Sequence, residues 1–501
     1  MRFLIVILAA LSGVPASLAA APALPFDPAT LHGFNLMEKV GVDWMNNAPY
    51  REEDFALIKE FGFNYVRLPM DYRCYTVKNE WLSFREDVLR DFDHAIAWGE
   101  KYGLHVTLAL HRAPGYCVNP PPEAKDLWSD DEALAAFTAH WEMFARRYQS
   151  VPASRLSFNL VNEPSGTTPE NVVRVYRHVV AAIHRVTPDR VVFLDGVDGG
   201  GKTLPELASL PNVVQSGRGY FSPVTFYRAS WRDVSREFMP TPSWPVRPAV
   251  NAFLYGPFWK KDDLNRPLVL RGSFPAQTLL DVRVLIVSTS ATLVVKADGK
   301  PVFEKRFEPK EGVGEWAQAV YAPKWRIYQN VYNHLYTVVL PVAAKEISLE
   351  LTDGDWLRFT ELGLTLPGRD RRVLPGDSTP RRTQQPYDLS PDGALISPPD
   401  FDGLAPLAGI FAPLREVKAA GGAVFMGEFG CYSKTPHDVM LAYTQSLLER
   451  CKADGIGWAM WNFRGEFGVL DSNRSDVAYE AFKGHKLDRK LMDILKRSAA
   501  P

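Results

Sequence analysis

Cysteine is scarce, at four residues in a chain of 501. No Cys/His spacing matches a structural zinc site, and no disulfide framework can carry the fold. Charge of one sign is also missing. There are 57 Lys and Arg against 58 Asp and Glu, a net −1, which gives no electrostatic reason to expect nucleic acid or an anionic membrane as partner. Beyond the N-terminus no apolar run approaches the ~20 residues that a membrane span needs. A glycine-rich phosphate loop after the first strand is absent too, which argues against a doubly wound nucleotide-binding sheet.

The N-terminus reads as a secretory signal over residues 1–20. Arg2 precedes a short apolar run, and small residues follow through Ala19, Ala20 and Ala21. A secreted or periplasmic protein is therefore expected. Export permits disulfides. Cys74 and Cys117 each follow a predicted strand, and those strands are neighbours, so the two could pair. Cys451 continues the apolar face of Met440, Tyr443 and Leu447 as a buried thiol, and Cys431 has no evident partner.

After the signal, short apolar strands alternate with amphipathic helices. Strands are predicted at 32–36, 65–69, 105–111, 156–161, 190–195 and 212–217. Val88, Phe92, Ala95, Ile96 and Gly99 share one helical face. Pro169 opens a helix where a missing N–H costs nothing. The rhythm stops near 240 and resumes at 404, with strands at 423–427 and 457–461. The expected organisation is a (β/α)₈ barrel in two parts, 21–240 and 404–501. Between them an all-β, sandwich-like module spans 241–368, with Asp298-Gly299 as a hairpin turn. A Pro-, Arg- and Asp-rich linker is expected over 369–403. Trp316, Trp325, Trp356, Tyr328 and Tyr332 of the module are expected mainly as its core.

Barrel enzymes carry their chemistry at the C-terminal ends of the strands. Those ends hold Arg67, His111, Asn162-Glu163-Pro164, Glu428 in Gly427-Glu428-Phe429-Gly430, and Trp461. Two carboxylates around one mouth suit glycoside hydrolysis. One protonates the leaving oxygen and the other attacks the anomeric carbon, and a spacing of ~5–5.5 Å gives retention. Glu163 is the expected acid, with its pKa raised. Glu428 is the expected nucleophile, kept ionised by a cation such as Arg67. Asn162 can bond a sugar hydroxyl, and Trp461 can stack on a sugar ring. Tyr116 and Trp128, after the third strand, are further candidates for sugar contact.

Asn64-Tyr65-Val66-Arg67-Leu68-Pro69, His111-Arg112-Ala113-Pro114-Gly115-Tyr116, Asn162-Glu163-Pro164, Gly427-Glu428-Phe429-Gly430 and Trp461-Asn462-Phe463 together resemble glycoside hydrolase family 5, the cellulase family. The resemblance covers about 300 residues of barrel and not the module. It implies a retaining mechanism with Glu163 as acid/base and Glu428 as nucleophile. Support is implied from Arg67, His111 and Asn162, with Trp461 at the bond broken. It implies no metal and no organic cofactor. One stretch departs from the family, which has His-x-Tyr after strand six. Here Ser216-Gly217-Arg218-Gly219-Tyr220-Phe221-Ser222-Pro223 stands instead. In the preferred register Arg218 replaces the His and Tyr220 keeps its place beside the nucleophile. Counting back from Pro223 gives Gly219 and Phe221 instead. The expected protein is a monomeric endoglucanase acting on β-1,4-linked glucan. Mannan, xyloglucan or mixed-linkage glucan, transglycosylation, and a non-catalytic carbohydrate-binding protein are the alternatives.

Overall fold

The structure is a computed structural model that describes residues 24–42, 47–78 and 80–500. The expected signal segment lies outside the described residues. Eight parallel strands form the barrel: β1 His32–Asn35, β2 Tyr65–Asp71, β3 His105–Ala113, β4 Leu156–Asn159, β5 Val192–Asp195, β6 Val213–Gly219, β7 Ala423–Phe429 and β8 Gly457–Met460. β1 pairs with β8 and with β2, and the β2–β3 pairing closes the cylinder. Gly33 is demanded by this closure, because a Cβ there would lie 1.7 Å from the Tyr65 carbonyl oxygen.

The strands are near-continuous apolar runs because helices cover their outer side. Helices α1 Glu52–Glu60, α2 Glu86–Tyr102, α3 Asp131–Arg147 and α4 Pro169–Val186 follow the first four strands. Helices α5 Ala405–Ala419, α6 His437–Asp454 and α7 Arg489–Ala499 complete the ring. Local chemistry sets their ends. Asp130 accepts from the N–H groups of Glu132 and Ala133, and Gly103 ends α2 in the left-handed conformation at φ 69°. The expected eight strand–helix units are not all present. Between β5 and β6 the chain makes only short turns, such as Pro205–Leu207. Among the described residues no helix is long and apolar enough to cross a membrane.

Inside the barrel the side chains form layers. The lower layer is apolar, with Leu31, Tyr65, Val191, Phe193, Val214, Phe425 and Ala459. The layer above is polar: Asn35 on β1, Arg67 on β2, Asn159 on β4 and Asp195 on β5, all at most 1% exposed, with Arg67 and Asp195 two residues beyond Tyr65 and Phe193. The strand period of two thus puts a polar ring directly over an apolar plug.

The chain leaves the barrel after β6 and returns before β7. Its exit and re-entry meet where the Val246 N–H donates to the Gly403 carbonyl at 3.0 Å. Between them lies one hydrogen-bonded sheet built on two long bulged strands, Leu279–Ala297 and Ala344–Thr365. Asp298 and Gly299 turn the hairpin with φ of 45° and 78°. The core of this module is aliphatic, with Leu280, Val284, Leu293, Leu349 and Leu362 fully enclosed. Part of the expected linker is sheet. Arg372–Asp377 pairs with Ala344–Thr365, and Pro386–Asp388 pairs with Leu268–Phe274. The polar composition of 369–403 hides two short strands that are pinned by buried Leu374 and by the Tyr387 hydroxyl, which accepts from Asn251 N–H.

The four cysteines are free thiols. Cys74 does not pair with Cys117. Its Sγ faces the Lys39 carbonyl at 3.5 Å, while Cys117 Sγ faces the His111 carbonyl at 3.7 Å. Cys431 and Cys451 are both buried.

Candidate active site

The polar ring opens at the C-terminal mouth, and the strand ends bring the two glutamates to it. Glu428 reaches it through a bulge. The β7–β6 register shifts between Met426 and Glu428, so that Glu428 stands opposite Arg218. Glycine at the bulge leaves room for the cluster, since a Cβ at Gly427 would lie 2.3 Å from Ser216 Oγ and 3.0 Å from Arg218 Nη1 and would displace both side chains. Glu163 arrives differently. It follows the end of β4 in the left-handed region at φ 53°, a conformation that costs a non-glycine residue energy and needs support. Support comes from both sides: its N–H donates to Asp195 Oδ2 at 2.9 Å, and the Tyr116 hydroxyl donates to its carbonyl at 2.6 Å.

Arg67, on β2, is 1% exposed and spends its donors on residues on or just past three other strands, β1, β4 and β7. Nη1 donates to Glu428 Oε1 at 2.7 Å and to Asn35 at 2.9 Å, Nη2 to Asn162 Oδ1 at 3.0 Å, and Nε to Asn159 at 2.9 Å. Tyr220 donates its hydroxyl to the other oxygen, Glu428 Oε2, at 3.2 Å. Phe221 instead packs against Trp244 at 6.0 Å. The geometry therefore follows the register in which Arg218 and Tyr220 stand in the family's His and Tyr places.

Arg218 is the centre of the cluster. Nε donates to Glu163 Oε1 at 3.0 Å, and Nη2 donates to Asn162 Oδ1 at 2.8 Å and lies 3.2 Å from Glu428 Oε1. It also pairs closely with Asp195. Two guanidinium groups, of Arg67 and Arg218, thus face three carboxylates, of Glu163, Glu428 and Asp195. Both oxygens of Glu428 and both of Asp195 accept from donors, the pattern of a carboxylate. Glu163 has only the Arg218 Nε on its side chain and stays 20% exposed. Desolvation, and then the neighbouring Glu428 charge, push Glu163 up to about 7 from the usual carboxylate range against the pull of Arg218. One proton on Glu163 leaves two positive and two negative groups.

His111 stacks on Trp461 with centroids 5.6 Å apart and planes at 24°. Burial, followed by the Arg67 and Arg218 charges, lowers its pKa to about 3, so the ring is neutral. Asn119 Nδ2 donates to its Nε2 at 3.1 Å. Two buried atoms here, His111 Nδ1 and Asn162 Nδ2, have no hydrogen-bond partner among the described residues. Such groups are costly unless something completes them.

The mouth thus assembles Arg67, His111, Asn162, Glu163, Arg218, Tyr220, Glu428 and Trp461. Tyr116 reaches it only by bracing the Glu163 backbone. Trp128 is 3% exposed and packs edge-on against Tyr116, so it offers no open face to a sugar. Sequence reasoning missed Asn35, Asn159 and Asp195. Their signal was available: each is the last residue of its strand, where this fold puts chemistry. Of the aromatics expected in the module's core, Tyr332 is buried there, while Trp325 is 64% exposed. Among the described residues no group of three or more His, Cys, Asp or Glu side chains could hold a metal ion.

A (β/α)₈ barrel with glutamates after its fourth strand and on its seventh, joined by one arginine, is an arrangement that suits glycoside hydrolysis. Residues 24–228 match the family model of cellulase (glycosyl hydrolase family 5). Endoglucanase C of Acetivibrio thermocellus is 26% identical over 200 residues, which are 39% of this chain and 57% of that protein. The chain thus spans little more than half of that relative's length. A crystal structure of a glycoside hydrolase superposes with a TM-score of 0.59 at 26% identity, covering 93% of this chain and 99% of the other. Endoglucanase Cel5A of Thermotoga maritima shares the fold at a TM-score of 0.51 and 16% identity, with 94% and 100% covered.

Proposed function

We infer that this chain is an exported, retaining glycoside hydrolase that cleaves β-1,4-linked glucan. The observation that carries the reading is the pair Glu163 and Glu428, held on either side of Arg218 in opposite chemical states. Glu428 has donors on both oxygens, while burial and the Glu428 charge raise the Glu163 pKa to about 7, so that Glu163 is suited to hold the proton. In the first step a Glu428 oxygen forms a bond to the anomeric carbon as the glycosidic C–O bond breaks. The leaving oxygen takes its proton from Glu163. In the second step water attacks the same carbon, gives its proton to the Glu163 carboxylate, and Glu428 leaves. Two displacements restore the starting configuration.

The surrounding groups suit this chemistry. Arg67 and Tyr220 fix the orientation of the Glu428 carboxylate, which keeps the attacking oxygen in place. Asn162 Nδ2 and His111 Nδ1 are donors that a sugar hydroxyl can complete, and Trp461 offers a ring face. Glucan is favoured over other β-glycans by similarity to proteins named as endoglucanases. Export rests on the N-terminal residues 1–20, and a single copy suffices because every group of the site comes from one chain.

The test is reducing-sugar release from carboxymethyl-cellulose, barley β-glucan, glucomannan, xyloglucan and xylan by wild type, Glu163→Ala and Glu428→Ala. Cleavage of a β-glucan that both variants lose supports the reading and ranks the substrates. A folded wild type that binds these glycans and cuts none refutes it.

A further inference from the structure

Trp231 stands out because it is a large apolar side chain 60% exposed on a segment held from three sides. It lies between β6, which carries Arg218, and the inserted module. Its contacts run back to the nucleophile. Trp231 meets Phe226 edge-on with centroids 6.3 Å apart, Phe226 meets Tyr220 at 5.0 Å, and the Tyr220 hydroxyl is 3.2 Å from Glu428 Oε2. On its other side Trp231 meets Tyr432, from the segment after β7, at 6.1 Å. Phe226, Tyr432 and Phe467 form one buried cluster, against which Tyr220 and Trp461 pack. A continuous aromatic belt therefore leads from the reaction centre to an open indole.

The segment around this indole is fixed. Arg236 donates to the carbonyl oxygens of Ser222 and Phe226 and to Ser222 Oγ. The Tyr432 N–H donates to the Thr225 carbonyl at 2.8 Å, tying the segment to the one after β7. The module supplies the third hold. Val234, Phe238 and Met239 pack on Leu285, Ile286 and Val331 of its sheet, and Arg358 donates to Ser235 Oγ at 2.6 Å. A solvated tryptophan with no partner would lose nothing by moving, and scattered exposed apolar residues need no explanation. One pinned at the end of a belt that starts at the nucleophile is pre-organised to receive a flat apolar face.

We propose that Trp231 is a specificity-determining residue: it stacks on a sugar unit of the substrate beyond the one at Trp461, and the inserted module acts as the brace that holds it there. This rests on the glycan-hydrolase reading above and extends it to chain length. A sugar ring presents an apolar C–H face to an indole and keeps its hydroxyls in water, so a half-open tryptophan is suited to it. The module then contributes to specificity through Arg358 and the Val234–Phe238 turn, without touching the reacting bond.

The experiment measures kcat/KM of wild type, Trp231→Ala, Trp231→Phe and Arg358→Ala on cello-oligosaccharides of three to six units. The ratio of kcat/KM on the hexaose to that on the triose falls on the order of tenfold in Trp231→Ala, the loss of one aromatic stack. Trp231→Phe recovers part of that ratio, and Arg358→Ala lowers it by a smaller factor. Thermal unfolding of Trp231→Ala tracks wild type, because the side chain is largely open. An unchanged ratio in Trp231→Ala, with wild type active on the ladder, overturns this proposal alone. A wild type inert on every member overturns the β-1,4-glucan reading and this proposal with it.

Discussion

The barrel mouth and the inserted sheet bury opposite things. Around the mouth Arg67, Arg218, Asp195 and Glu428 are each at most 6% exposed and held by one another. The sheet keeps its ion pairs at the surface, such as Lys296–Glu350 and Arg306–Asp353, and encloses Leu and Val instead. Burying charge is expensive and adds little to stability compared with packed apolar groups. The charge cluster at the mouth, against the aliphatic core of the sheet, separates the part of the molecule that gathers reactive groups from the part that packs.

The largest expected difference between the regions is catalytic. Glu163→Gln should lower kcat/KM by roughly 10²–10⁴-fold on substrates with poor leaving groups, the usual contribution of a general acid. Wild type should lose activity as pH rises through about 7, where Glu163 gives up its proton. The variant should lack that limb, and a limb that survives in it would assign the proton elsewhere.

Stability comes next and should tell the regions apart by cause. Arg67→Met leaves Glu428 and three asparagine oxygens short of a donor, and should cost about 3–5 kcal/mol in denaturant unfolding. Leu349→Ala in the sheet core should cost a similar ~2–5 kcal/mol by opening a cavity. Only the first should also disturb the pH–rate profile. If Leu349→Ala moved the alkaline limb, the division of labour between the two regions would be wrong.

Smaller effects sharpen the electrostatics of the mouth. The groups acting on Glu163 are Asp195 on β5, Arg218 on β6, Tyr220 just after it, and Glu428 on β7. Arg218→Gln removes a cation, so the alkaline limb should move to higher pH by about a unit. Asp195→Asn removes an anion and should move it lower. The smallest expected effect is on folding. A carboxyl with its folded pKa raised stabilises fully below its unfolded value of 4.5, and this is lost as pH rises through about 7. Thermal scans should therefore show Glu163→Gln gaining on wild type between those pH values, and no such drift for Leu349→Ala.

Much of the site was legible in the sequence because barrel strands are local apolar runs whose last residues face one mouth. Arg67, His111, Glu163, Glu428 and Trp461 were found that way. Arg218 was found as a departure from an expected histidine, but its bonds to Glu163 and Asp195 were not. Asp195 ends a strand that carries no motif. Trp128 and Trp231 look alike in a sequence, as single loop tryptophans. One is 3% and the other 60% exposed, and only packing decides that.

The sequence by itself determined the alternation of strands and helices, the place where that rhythm breaks, and the two glutamates that end their strands. Each is written within a few neighbouring residues, where period, capping and turn chemistry act. The tertiary structure decided what depends on residues far apart in the chain. It fixed the thiols as unpaired, the 372–377 segment as sheet, and the bulge at Gly427 that turns Glu428 toward Arg218. It also raised the pKa of Glu163, through burial and the neighbouring Glu428 charge. That depends on how two cations and three anions share one largely buried cluster, and no short stretch of chain contains all five.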